Sequence, residues 1–393
     1  MKILYIGPFR FPIFDAAAAR VLNISRTLHA IGHDVSVISW GGDYLESDKD
    51  DNGEYYHDGI KYIITGELDG KGNLIQQFIQ KRKRGHETMK ILNSLSFLPD
   101  VIIMYNARYG LTRMMLNYCK MHNIKLVHDI TEWFDKSDMH IDDYIPNYLN
   151  MHYLQKKVAN KICISNYLNN YYIESHNIVI PATCDCSEPK WHELDMHIID
   201  TFPKFAGVTL IYAGVPKRKD LVHNAINAVN RLNKEGKLMR FVIVGTSKDD
   251  YLKKYSDLLD DTELSDNIIF VGRVSQELIP TYYHLADFMV LLRKPTRKCT
   301  AGFPTKFAES FISGTPVIAN LTSDLGKYLK NEVTGFVVYN YDTESVYETL
   351  RNKVCGLDKQ SIACLKDNAK KMSVSFDYHS YINELNNFMN TLV

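Results

Sequence analysis

The sequence predicts an α/β protein of two Rossmann-like domains that face a cleft, and three observations carry the prediction. The chain has 393 residues, too many for one ordinary core and enough for two domains of about 150–200 residues each. Short apolar runs alternate with helical patterns along its whole length, as parallel sheets covered by helices on both faces require. The alternation starts afresh near the middle, so it describes two sheets rather than one.

In the first series the expected strands are Ile3–Ile6, Asp34–Trp40, Lys61–Thr65, Val101–Tyr105, Lys125–Ile130, Lys161–Ser165 and Asn177–Ile180. Each is short, rich in Val, Ile or Tyr, and closed by turn residues. Between the first two, Val21, Ile24, Leu28 and Ile31 recur at helical spacing, and Gly32 ends the helix. The second series gives Val208–Ala213, Arg240–Val244, Asn267–Val271, Phe288–Leu292, Pro316–Ala319 and Gly335–Val338. Its first helix carries Leu221, Ala225, Ala228, Val229 and Leu232 on one face. The stretch Pro181–Ala206 holds three prolines and no sustained period, which marks a boundary. We therefore expect a first domain at 1–190 and a second at 205–372. A C-terminal helix at 373–393 has Tyr381, Ile382, Leu385 and Phe388 at helical spacing and is expected to cross back onto the first domain.

Composition narrows the function. Lys plus Arg and Asp plus Glu number 46 each, so no global charge points to nucleic acid. Seven cysteines, of which only Cys184 and Cys186 are close together, show no metal or disulfide spacing and read as reduced thiols. Met1–Gly7 lacks the pattern of a secretory leader, and no window of about 18 apolar residues exists. The expectation is a cytoplasmic protein whose membrane contact, if any, is peripheral and at the inner face. Gly7-Pro8-Phe9-Arg10 is no dinucleotide fingerprint and no Walker A lysine motif occurs, which disfavours nicotinamide and P-loop enzymes.

The most informative stretch runs from Ala301 to Ala319. It reads as a loop (Ala301, Gly302, Phe303), a proline at a helix start (Pro304, Thr305), an inward Glu309, a stop at Gly314 and a buried strand. Free amides at such a helix start suit a phosphate, and Lys306 adds a cation. Glu309, about one turn further in, can accept two ribose hydroxyls. The plain alternative is an ordinary αβ unit with a surface Glu.

This stretch resembles the C-terminal signature of glycosyltransferase family four, the retaining GT-B group that builds bacterial polysaccharides and glycolipids. The resemblance extends over nearly the whole chain. The family has two Glu separated by seven residues. Glu309 matches the second, which holds the nucleoside ribose. The first, a donor-sugar contact, falls at Ala301 and is absent. Tyr212–Asp220 resembles the family's phosphate-binding turn; Lys219 matches the family lysine and Arg218 shares its task. Phe270-Val271-Gly272-Arg273 resembles the loop that reads the base, with Arg273 beside it. Phe14–Arg20, with Ala17, takes the place of the small-residue loop over the donor phosphates. His128 matches a family His that touches the donor sugar or transition state, and Glu132 is the next candidate. Arg293 and Arg297 flank the next strand end, either to balance the diphosphate or as surface charges.

The resemblance implies a retaining transfer from a nucleotide-diphosphate sugar, UDP first and GDP next, to a glycan or lipid-linked saccharide. Lys219, Arg218, Lys306 and the amides of Gly302–Thr305 would stabilise the leaving phosphate. With no Asp-x-Asp pair near a strand end, no metal and no cofactor beyond the donor are expected. Lys81-Arg82-Lys83-Arg84 follows Leu74, Ile75, Phe78 and Ile79 and reads either as a solvated helix face or as a segment that docks on anionic lipid. Two other functions stay open: a GT-B epimerase using Asp129, Glu132 and Asp135, and a non-catalytic partner subunit, which the missing first Glu motivates.

Overall fold

The computed structural model describes residues 1–68, 83–217 and 219–392. The segment holding Leu74, Ile75, Phe78, Ile79, Lys81 and Arg82 lies outside them, as does Arg218. The chain forms two compact units, Met1–Cys184 with Tyr378–Val393, and Asp185–Asp377.

The first unit is built on eight strands: β1 (Lys2–Phe11), β2 (Asp34–Gly42), β3 (Tyr56–His57), β4 (Ile60–Ile64), β5 (Val101–Tyr105), β6 (Lys125–Ile130), β7 (Asn160–Cys163) and β8 (His176–Val179). Their order is β3-β4-β2-β1-β5-β6-β7-β8, and only the β3–β4 pair is antiparallel. β1 runs on past Gly7 and Pro8, which the sequence suggested as its end. The register with β2 shifts between Gly7 and Arg10, so the irregularity absorbs a proline that cannot donate to the ladder. The helix Ala16–Ala30 buries Val21, Ile24 and Leu28 against this sheet. The C-terminal helix Ile382–Asn390 joins the same core through Leu385, Phe388 and Met389.

The second unit has β9 (Val208–Ala213), β10 (Met239–Val244), β11 (Ile268–Gly272), β12 (Phe288–Leu291), β13 (Val317–Ala319) and β14 (Gly335–Val337). All pairs are parallel, in the order β11-β10-β9-β12-β13-β14. Renumbered from β9, this is the 3-2-1-4-5-6 order of doubly wound sheets, whose ligands sit where the order reverses. Here that point lies between β9 and β12.

Two expected boundaries need correction. Residues 185–190 belong to the second unit, because Trp191 Nε1 donates to the Asp185 carbonyl at 2.9 Å and folds the segment on itself. Residues 373–377 also belong there rather than with the terminal helix. Phe376 is fully buried among Phe303, Phe307, Phe311 and Tyr328, and this aromatic contact outweighs continuity with the helix that follows. Among the described residues no helix is long and apolar enough to cross a membrane.

Candidate functional site

The chain leaves β9 through Gly214, whose φ of +123° favours glycine. A Cβ there would lie 2.5 Å from Lys306 Cε. The bare backbone thus lets the Lys306 side chain lie against the turn. The chain next bends at Lys217, whose carbonyl accepts from the Asp220 amide at 2.9 Å. Asp220 then forms an isolated bridge with Arg293, just beyond β12. Asn320, beyond β13, holds the Arg293 backbone from both sides, accepting from its amide at 2.9 Å and donating to its carbonyl at 2.8 Å. Loops from three neighbouring strands therefore converge at the reversal point of the second sheet.

Their charges converge with them. The buried Asp220 carboxylate lies 3.2 Å from Arg293 Nε and 3.6 Å from Lys306 Nζ. Lys306 Nζ also donates to the Tyr212 hydroxyl at 2.6 Å and lies 4.4 Å from that ring's centroid. Burial pushes the Asp220 pKa up, but the charges of Lys306, Arg293 and Lys219 and a hydrogen bond from Tyr212 outweigh it and hold the group below the usual carboxylate range. Burial dominates at Lys306 and pulls its pKa down to about 8, against the opposing charge of Asp220. Three cations thus face one carboxylate, and the excess positive charge suits a multiply charged anion.

The helix Thr305–Ile312 starts beside this cluster with no side-chain cap. Pro304 sits at its N-cap rather than in its first turn, and its carbonyl accepts from the Phe307 amide at 3.1 Å. Glu309, one turn in, is half-buried. Burial raises its carboxyl pKa, while Lys306 and then Lys190 pull it down. Thr305, Lys306 and Glu309 are therefore brought together with Lys219 and Arg293.

Other expected residues are placed differently. Ala301 and Phe303 are buried, and Phe303 packs edge-on to Phe307 and Tyr328. Both side chains belong to the core of the second unit. Gly302 closes the helix Arg297–Ala301 by donating its amide to Lys298. Arg273 is exposed beyond β11, two strands from β9.

In the first unit, His128 has 0% exposure. Its Nε2 accepts from the Ala107 amide at 3.1 Å, and burial, then the Lys161 charge, lower its pKa to about 3. Burial thus encloses this histidine in the first unit and keeps it neutral. Ala17 lies in the first turn of the helix Ala16–Ala30. Its amide donates to Asp15 Oδ1 at 2.9 Å, as Ala18 does at 3.1 Å, so both amides serve the helix cap. Asp129, open to the epimerase reading, is buried and committed to Arg20, with Nη2 to Oδ1 at 2.9 Å, and to the Tyr5 hydroxyl. Glu132 is exposed just beyond β6.

The sequence placed Asp220 and Tyr212 in the phosphate-binding turn but gave neither a role of its own. A lone acid directly after a run of cations was the available signal. Its partners Arg293 and Lys306 are 73 and 86 residues away, beyond the reach of local pattern.

Residues 206–370 match the family model of glycosyl transferases, group 1. The matched residues lie within the second unit and make up less than half of the chain. A curated relative, the alpha-monoglucosyldiacylglycerol synthase of Streptococcus pneumoniae, is 22% identical over 181 residues, 45% of this chain and 40% of that protein. The match thus spans less than half of that relative's length. Among solved structures, the sucrose-phosphate synthase of Thermosynechococcus elongatus superposes with a TM-score of 0.73 at 14% identity, covering 100% of this chain and 99% of that one. HepE of Anabaena, solved in complex with UDP and glucose, gives 0.70 at 14% identity and 100% coverage of both. An E. coli trehalose-6-phosphate protein bound with UDP-2-fluoro glucose gives 0.70 at 10%, covering 100% and 99%. These likenesses show the GT-B fold.

Proposed function

We propose that the chain is a retaining glycosyltransferase of the family four type, moving a sugar from a nucleotide-diphosphate sugar to a glycan or lipid-linked saccharide. One observation carries the reading: Lys219, Arg293 and Lys306 gather around Asp220 where the second sheet reverses. When the glycosyl group departs, charge grows on the diphosphate oxygens, and preorganised cations stabilise that charge. The uncapped start of the helix Thr305–Ile312 offers its amides to the diphosphate beside Lys306, and Glu309 takes the ribose hydroxyls. The side-chain cations take this charge without a metal.

UDP is the first choice of nucleotide, supported by the UDP and UDP-sugar held by two of the structural neighbours. A lipid-linked acceptor is supported by the name of the pneumococcal relative. It agrees with a place in the cytoplasm at the inner face of the membrane.

Calorimetry with UDP and with GDP tests the donor site. UDP is expected to bind, and Glu309→Ala to weaken it about tenfold or more, the scale of lost charge-assisted hydrogen bonds. Failure of both nucleotides to bind sinks the reading. Binding without release of nucleotide from any UDP-sugar favours the non-catalytic partner subunit, for which Ala301 in place of an acid already argues.

A further inference from the structure

The helix Ile141–Leu149 continues without a break through a wider turn, Asn150–Leu154, into Gln155–Lys157. Its polarity is inverted. The buried face carries the amides Asn147, Asn150 and Gln155 beside Met151. These polar groups are held by the fold: Asn150 Nδ2 donates to the Ala107 carbonyl at 2.7 Å, and Gln155 Oε1 accepts from the Tyr172 hydroxyl at 2.6 Å. The outer face carries Ile141, Ile145, Tyr148, Leu149 and Tyr153, exposed by 65%, 57%, 41%, 40% and 58%. Their spacing puts them in one stripe. A surface helix normally turns such a stripe inward, and exposed stripes of this kind mark interaction sites.

Cations border the stripe. Lys156 ends it one turn beyond Tyr153 and lies 5.2 Å from the Tyr171 ring, and exposed Lys157 follows. Near the other end, Arg84 and exposed Arg108 are electrostatic neighbours, opposed by Asp143 of the helix and by Glu67. Glu67 is already engaged by the Gly85 amide and the Thr88 hydroxyl. A protein groove would bury the apolar side chains but has no call for cations at both ends. A bilayer with anionic headgroups uses both: the isoleucines and leucine enter the acyl boundary, the tyrosines sit at headgroup level, and the cations meet phosphate.

We propose that the stripe Ile141–Tyr153 lies on an anionic lipid bilayer and docks the first unit there. This holds whether or not the donor reading does, since none of these residues belongs to the donor site.

The test is co-sedimentation with phosphatidylcholine vesicles, with and without phosphatidylglycerol. The wild-type chain is expected to sediment with the anionic vesicles and to be released by high salt. Ile141→Ser with Ile145→Ser should lower the partition coefficient by about tenfold or more, as lost burial of two such side chains implies. Lys156→Glu with Lys157→Glu should abolish the preference for phosphatidylglycerol. Thermal unfolding of both variants should match wild type, because these side chains are exposed. Wild-type protein left in the supernatant overturns the proposal. So does equal sedimentation of all variants, or a wild-type dimer in solution that the double serine variant turns to monomer, which makes the stripe a contact between copies.

Discussion

An unperturbed lysine stays charged to about pH 10.4, but burial holds Lys306 at about 8, with Asp220 opposing the shift. A diphosphate binds the charged form. Nucleotide affinity is therefore full below pH 8 and falls as pH rises through it, by up to about tenfold per unit. Calorimetry across this range reads the midpoint directly. Lys306→Arg, always charged, should bind more weakly and lose the midpoint. On stability the sign is opposite. The folded chain binds fewer protons at Lys306 than the unfolded chain between about 8 and 10.4, so this group's contribution improves as pH rises through that window. Asp220→Asn removes the charge that opposes the Lys306 shift. The midpoint should then move to lower pH, and stability should fall by about 3–5 kcal/mol as Arg293 loses its buried partner. An unmoved midpoint would place Asp220 outside the site.

At the scale of elements, the turn after β9 depends on Gly214. Gly214→Ala strains a positive φ and sets a methyl against Lys306 Cε. The expected cost is about 1–3 kcal/mol, with nucleotide binding weakened about tenfold or more because Lys306 must move. Adding Lys306→Ala clears the methyl, so the double variant should regain part of the stability in denaturant titrations; no recovery would refute the contact. β9 was legible in the sequence to the residue, and β5 and β6 likewise, because buried parallel strands are continuous apolar runs with sharp ends. β3 was not, since a two-residue edge pair has no pattern. The helix Ile141–Lys157 was missed for a physical reason: its amides face inward and its isoleucines outward, against the rule by which helices are read. The loop at Phe303 was read as donor-facing from its neighbours Lys306 and Glu309. Its place in the aromatic cluster depends on Phe376, 73 residues on, which no local signal reveals. Phe376→Ala should cost the second unit about 3–5 kcal/mol, read by hydrogen exchange in that unit.

At the scale of the whole chain, the two units differ in how they are closed. The second is one continuous segment, whereas the first needs both ends of the sequence. Tyr378 returns to it, donating its amide to the Cys184 carbonyl at 3.0 Å. Leu385, Phe388, Met389 and Leu392 then complete the core around Val21, Leu28 and Ile178. His176 stacks on Phe388 with centroids 4.9 Å apart. Burial of four such side chains is worth about 6–12 kcal/mol, comparable with the whole stability of a domain at about 5–15 kcal/mol. Removing Tyr378–Val393 should therefore unfold the first unit, seen as lost amide protection across β1, β2 and β8. The proposed donor residues Lys219, Arg293, Lys306 and Glu309 all lie in the continuous segment, which keeps its own sheet and core. The truncated chain should still bind nucleotide, and nucleotide at 100 times its Kd should stabilise the second unit by about 2.7 kcal/mol. If truncation abolishes nucleotide binding while β9 and β12 stay protected, the donor site needs residues of the first unit, and the four named side chains are only part of it.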